Sequence, residues 1–249
     1  MDLTNKVALV TGGTLGIGAA IALELARRGA NLAVAARNLG PPAEALRQQV
    51  ESLGRKLVLI AGDMSQPEDC GAAVEQTARQ LGRLDVLIHN AGGPSAGRIE
   101  DVSPEQWRYT MDLHVNANYY LARAALPHLK RAGEACIIMV SSTAGRLGVP
   151  GAIAYATAKG ALPQFTRSLA RDLADDNIRV NCVAPGVIRT RFHDDMTAER
   201  KELNLKHRIP LHREGTAEQV ADLVALLVTN DYITGETVVI DGGLTSRIA

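Results

Sequence analysis

The sequence has little cysteine, no excess charge of either sign, and no long apolar run. Cysteine occurs three times, at 70, 136 and 182, far apart and in apolar surroundings. An odd, scattered set of this kind excludes a disulfide framework and a thiolate metal site, and predicts buried reduced thiols. Lysine plus arginine and aspartate plus glutamate number 27 each. With no global bias, nothing points to nucleic acid or to an anionic membrane surface as a partner. No apolar stretch approaches the ~20 residues that span a bilayer. The first six residues lack the basic start and apolar core of a secretory signal, so the cytoplasm is the expected location. Linkers, repeats and low-complexity segments are also missing.

What is present is alternation. Short apolar, β-branched runs lie at 7–10, 32–34, 57–60, 86–88, 137–140, 178–183 and 237–240. Their near-continuous apolarity suits strands buried on both faces. Between them, helical stretches are expected near 16–28, 42–53, 67–81, 104–131, 152–175 and 217–228. Ser103-Pro104-Glu105-Gln106 and Thr216-Ala217-Glu218-Gln219 both read as capped helix starts. The order predicts one α/β domain over 1–249: a doubly wound parallel sheet of about seven strands with helices on both faces. The charged stretch 189–214 breaks the rhythm just after a strand end and is expected to be a substrate lid. Arg191, Phe192, His193 and Asp194 are its most unusual residues.

The first strand runs into Thr11-Gly12-Gly13-Thr14-Leu15-Gly16-Ile17-Gly18 and then an alanine-rich helix. Glycines there allow a tight turn and let a pyrophosphate approach the amides of a helix N-terminus. Three residues separate Gly12 from Gly16, so the spacing departs from G-x-G-x-x-G. An NAD site places an acidic residue about 20 positions on, to bind the ribose 2′-hydroxyl. Here the second strand ends in Ala35-Ala36-Arg37. An arginine suits a 2′-phosphate, which a carboxylate would repel. NADP(H) is therefore the expected cofactor, with NAD(H) as the alternative.

Tyr155 and Lys159 are spaced i, i+4 and share a face if the segment is helical. A free phenol has a pKa near ~10, and a neighbouring ammonium would favour its anion. Ser142 ends a buried strand 13 residues earlier and can hold a substrate oxygen. In these terms Lys159 is expected to tune the proton and Ser142 to position the substrate.

Taken in order, these elements resemble the short-chain dehydrogenase/reductase family over essentially the whole chain. The resemblance rests on the loop 11–18, Asp63 after the third strand and Asn90-Ala91-Gly92 after the fourth. It continues through Asn116, Ser142 and the Tyr155/Lys159 pair. Pro185-Gly186-Val187-Ile188-Arg189-Thr190 and Tyr232-Ile233-Thr234-Gly235 with Asp241-Gly242-Gly243 complete it. It implies a Rossmann fold and hydride transfer at a carbonyl or secondary alcohol. Tyr155 would be the general acid/base. Lys159 would hold the nicotinamide ribose, and Ser142 the carbonyl. Asn116 would kink its helix and hold a water leading from Lys159. Gly12, Thr14, Leu15, Gly16, Ile17 and Gly18 would cradle the pyrophosphate, with Arg37, Asp63 and Met64 toward the adenosine. Asn90, Ala91 and Gly92 would line the ribose side. Pro185, Gly186, Ile188 and Thr190 would meet the carboxamide. No metal is implied.

Two residues depart from the family pattern. Leu15 stands where many NADP-preferring members have lysine or arginine. His89 stands where asparagine is frequent, and no proton chemistry is assigned to it. The overall pattern is closest to 3-oxoacyl-(acyl-carrier-protein) reductases, although sugar and other secondary-alcohol dehydrogenases share it. Lys130, Arg131 and Arg171 are a candidate rim for an acidic carrier protein. A non-catalytic cofactor-binding protein is the remote alternative, and the intact Ser, Tyr and Lys argue against it. A homotetramer is expected, with Ala122, Ala124, Ala125, Ala161 and Ala170 permitting close helix approach across a two-fold axis.

Overall fold

The computed structural model describes residues 1–190 and 196–246. Its centre is a seven-stranded parallel sheet in the order β3-β2-β1-β4-β5-β6-β7. The strands are β1 Val7–Thr11, β2 Asn31–Ala36, β3 Leu57–Ala61, β4 Val86–His89, β5 Ala135–Val140, β6 Ile178–Pro185 and β7 Thr237–Ile240. The α-helices among the described residues are α1 Gly16–Arg27, α2 Pro41–Ser52, α3 Pro67–Leu81, α4 Pro104–Met111, α5 Ala117–Ala132, α6 Ile153–Asp172, α7 Ala198–Leu203 and α8 Ala217–Thr229.

Alternation along each buried strand builds two cores. Ala8 and Val10 of β1 face α1 and α8, packing with Ile21, Leu25, Val220 and Val224. Leu9 between them faces α3, α5 and α6, among Val74, Leu121 and Leu162. Both expected helix starts are capped: the Ser103 side chain accepts from the Gln106 amide, and Thr216 with Gln219 forms a reciprocal capping box. The three thiols are buried, Cys136 in the first core and Cys70 and Cys182 in the second. Burial pushes their pKa values up, to about 12 for Cys70 and about 11 for the other two.

The chain leaves β1 in one direction to build β2 and β3, then returns to place β4 on the other side. Ligands of open parallel sheets bind at the carboxyl ends of strands beside such a reversal. The stretch expected as one helix over 104–131 is broken: a wide π-type turn, Asp112–Asn116, separates α4 from α5. An extra residue in a helical turn rotates the side chains that follow it.

Candidate active site

The first wall is the loop between β1 and α1. Gly12 has φ +62, and a Cβ on it would lie 2.7 Å from Ala91 Cα. Gly18 packs so closely that a Cβ would fall 2.2 Å from the Gly12 carbonyl oxygen and 2.5 Å from Asn90 Nδ2. The loop is tied to the end of β4. Asn90 Nδ2 donates to the carbonyls of Thr11 and Gly12, and the amides of Asn90 and Ala91 donate to Thr11 Oγ1. His89 completes this lattice. Leu113 O can only accept, so the His89 proton sits on Nε2, 3.0 Å away, and Nδ1 takes the Thr11 hydroxyl at 2.8 Å. Burial drives the His89 pKa down to about 4, so the ring is neutral.

The N-terminus of α1 has neither a side-chain cap nor an acidic residue in its first turn. Its amides and its dipole are left for an anion, which fits a dinucleotide pyrophosphate. Arg37 follows β2, is exposed, and donates to the Tyr109 hydroxyl at 3.1 Å. It has no carboxylate partner among the described residues.

Opposite the loop stand the groups of β5 and α6. Lys159 Nζ donates to the Val140 carbonyl at 2.7 Å and lies 5.7 Å from the centroid of the Tyr155 ring. Burial lowers the Lys159 pKa to about 8. Tyr155 is raised above the ordinary phenol value by burial, while a hydrogen bond with Ser142 pulls the other way. Ser142 is thus one side chain that favours the phenolate.

A histidine that sequence reasoning passed over completes this wall. His114 sits within the π-type turn, 2% exposed, and meets the Tyr155 ring edge-on at 5.4 Å. Its Nε2 donates to the Gly93 carbonyl at 3.1 Å, which leaves Nδ1 as an acceptor. That atom is buried with no hydrogen-bond partner among the described residues. Burial first, then the Lys159 charge, lower its pKa to about 2. The ring is an acceptor and not an acid.

These groups surround a cavity of about 710 Å³ at the carboxyl ends of the strands. Of the expected site residues, Gly12, Leu15, Gly16, Ile17 and Arg37 line it from β1 and β2. Asn90, Ala91 and Gly92 do so after β4, and Ser142, Tyr155 and Lys159 from β5 and α6. Pro185, Gly186, Ile188 and Thr190 close it after β6.

Five expected residues do not line it. Thr14 is half-buried in the loop, and Gly18 is buried beneath it. Asp63 forms the turn into α3, its carboxylate accepting from the Ser65 amide and its own amide donating to Asp69. The Met64 side chain is in the core, 2% exposed. Asn116 ends the π-type turn. The helix does break at this point, but the Asn116 amide turns to Asp112 Oδ1 at 2.7 Å, and His114 is the residue presented to the cavity. The reason is the π-type turn, which a regular helical period does not anticipate.

From the expected lid, Met196, Arg200, Asn204 and Arg208 line the cavity. Arg191, Phe192, His193 and Asp194 lie outside the described residues. The candidate carrier-protein rim does not border the chain's own cavity. Lys130, Arg131 and Arg171 stand at the C-terminal ends of α5 and α6, where those helices lead into β5 and β6. That is the opposite edge of the sheet from the cavity, and Lys130 is already paired with Asp176 at 2.8 Å. Among the described residues no helix is long and apolar enough to cross a membrane, and no group of three or more metal-ligating side chains occurs.

Residues 12–245 match the family model described as "Enoyl-(Acyl carrier protein) reductase". Dehydrogenase/reductase SDR family member 4 of Homo sapiens is 38% identical over 99% of this chain and 90% of its own length. A short chain dehydrogenase from Burkholderia cenocepacia J2315, solved in complex with NADP, superposes with a TM-score of 0.92 at 35% identity, covering 98% of this chain and 100% of that one. A blue fluorescent protein from a metagenomic library, solved with NADPH, gives 0.92 at 36% identity over 98% and 99%. The chain belongs to the short-chain dehydrogenase/reductase family. It is an oxidoreductase with the fold of nicotinamide-dependent members of that family.

Proposed function

We propose that this protein is an NADP(H)-dependent reductase of carbonyl compounds, and in reverse a dehydrogenase of secondary alcohols, acting on the CH–OH group. The observation that carries this reading is the convergence of Tyr155, Ser142 and Lys159 on one cavity that also holds the glycine loop and Arg37. Bound NADPH would supply the hydride to the carbonyl carbon. Tyr155 gives its phenolic proton to the carbonyl oxygen, and Ser142 holds that oxygen and eases ionisation of the phenol. Lys159 and Asn90 line the ribose side. His114 holds the Tyr155 ring edge, and Asn116 at the helix break holds a water leading from Lys159. Ile188 and Thr190 flank the carboxamide, and Asp63 bounds the adenine end through the turn after β3. The segment around 196–208 is the lid over the substrate. The test is oxidation of NADPH at 340 nm against a panel of ketones, sugars and 3-oxoacyl thioesters. Absence of turnover with every class, in protein that binds NADPH, counts against the reading.

The preference for NADP(H) rests on Arg37, whose guanidinium has no carboxylate partner among the described residues. Arg37→Asp puts a negative charge where a 2′-phosphate would sit. NADPH affinity should fall at least about tenfold, the scale of a charge-assisted hydrogen bond, and NADH should become the better ligand. Fluorescence titration with both nucleotides decides it, and equal affinities in the parent protein would defeat the preference.

We also assign a homotetramer. Its original basis is narrower in the structure, because Ala122, Ala125 and Ala170 are packed inside the chain's own core. The faces left outward on α5 and α6 carry Tyr119, which is 46% exposed, and the half-buried Ala124 and Ala161. Light scattering at micromolar concentration should give four times the chain mass of 26.5 kDa. A monomeric mass would end this assignment.

A further inference from the structure

Two more arginines line the cavity, Arg200 on α7 and Arg208 in the turn that follows it. Their position follows from the strand order. Arg37 leaves β2, whereas the 196–208 segment follows β6 and is anchored beside the end of β7, where the Leu211 amide donates to the Gly242 carbonyl at 3.1 Å. From β2 to β6 is four strand spacings, about 19 Å at the usual separation. The reacting groups on β5 and α6 lie between. Arg200 and Arg208 are thus on the substrate side, beyond Tyr155 as seen from the pyrophosphate loop.

Neither guanidinium has a carboxylate partner among the described residues. Nearby Glu202 is taken by Lys206, and Arg189 is taken by Glu214. Arg208 is half-buried. Among the described residues its guanidinium makes one hydrogen bond, from Nη1 to Oδ1 of the buried Asn204, at 3.0 Å. Burial and the neighbouring Arg200 charge both lower the Arg208 pKa. Two like charges held at one cavity wall, one of them partly desolvated, raise the energy of the empty site. An anion between them relieves both the repulsion and the unmet hydrogen-bonding capacity.

We propose that Arg200 and Arg208 form an anion subsite, and that the substrate is a carbonyl compound carrying a carboxylate or phosphate group remote from the reacting carbon. The substrate class rests on the reductase reading above, whereas the subsite does not. Leu147, Val149, Met196 and Leu244 also line the cavity, and they suit a short apolar spacer between the two ends.

The test separates binding from turnover. Malonate and inorganic phosphate are titrated calorimetrically into protein saturated with NADP⁺, so that the pyrophosphate loop is already filled. At least one should bind saturably. Arg200→Gln and Arg208→Gln should each weaken it on the order of tenfold, the scale of one charge-assisted hydrogen bond. Arg208→Lys should recover part of the loss, and all three variants should keep the NADP⁺ affinity and melting temperature of the parent. Tighter malonate identifies a carboxylate substrate, and tighter phosphate a phosphate ester. In parallel, oxo acids or oxo phosphates are compared with their neutral esters or alcohols as NADPH oxidants. The anionic member should have the higher kcat/KM by at least about tenfold, with the ratio falling toward one in the glutamine variants. No saturable anion binding, or binding that both variants retain, overturns the subsite. An ester reduced as well as its acid overturns the substrate class. Anion binding that the variants lose, in a protein that reduces no carbonyl compound, leaves the subsite standing and removes the reductase reading.

Discussion

Tyr155→Phe should lose on the order of 100- to 10,000-fold in kcat, the usual worth of a positioned proton donor, while NADPH titrates as in the parent protein. The substitution removes one hydroxyl and keeps the ring that packs edge-on against His114, so the wall of the cavity should persist. Its counterpart is Ser142→Ala. In the native site burial raises the Tyr155 pKa and the Ser142 hydrogen bond opposes that rise. Without Ser142 that opposing influence is lost, so the phenol pKa moves further up. In the reduction direction the protonated phenol is the active form, and the fall in rate at high pH moves to higher pH. In the oxidation direction the phenolate is the base, and the rise in rate with pH is displaced the same way. The two pH–rate profiles are the measurement. Near-parental turnover in Tyr155→Phe would remove Tyr155 as the general acid. An unshifted profile in Ser142→Ala would remove Ser142 as the group that tunes it.

Gly18→Ala should unfold at lower temperature and bind NADPH poorly, although it adds one methyl group to a helix and alanine favours helices. The new Cβ would lie 2.2 Å from the Gly12 carbonyl oxygen and 2.5 Å from Asn90 Nδ2. One of these neighbours is backbone and cannot rotate away. The other is the amide that ties the loop to β4. Overpacking of this kind costs about 1–3 kcal/mol, which for a chain of this length lowers Tm by roughly 2–12 °C. The loop must also shift off the end of α1, so nucleotide affinity falls together with stability. Thermal unfolding with and without NADPH tests both effects. A variant with the parental Tm and the same nucleotide-induced stabilisation would show that the loop is not so tightly seated.

Most of the fold was legible because its signals are local. Continuous apolar runs mark strands buried on both faces, and Ser103 and Thr216 cap helices within four residues of sequence. The loop at 12–18 and the Tyr155/Lys159 pair were legible for the same reason: each is a short pattern on a single element. What was missed depended on tertiary context. The break expected at Asn116 is present as the turn Asp112–Asn116, but that this turn also presents His114 to the cavity has no local signal. That Lys130 and Arg171 lie away from the chain's own cavity was not legible, because an exposed charge does not tell which edge of the sheet its helix ends on. The Ser142 hydrogen bond that favours the Tyr155 phenolate, and the burial that lowers Lys159 to about 8, have no signature in residue spacing. That Arg200 and Arg208 line one cavity depends on α7 and the five-residue turn Asn204–Arg208 after it, and their lack of a carboxylate partner among the described residues depends on the same packing; neither is visible in a charge count that sums to zero.

The three buried cysteines give the molecule its own clock. A thiol reacts as its thiolate, and here burial denies both ionisation and access, so modification must wait for the chain to open. Such openings occur in cooperative pieces that differ in free energy. Cys136 and Cys182 stand directly opposite neighbouring strands' residues, yet they belong to different layers, Cys136 to the one under α8 and Cys182 to the one under α6. Cys70 lies in α3 on the same side as Cys182. The order in which a thiol reagent captures them is therefore the order in which the two halves of the sandwich breathe, read without adding any label to the protein.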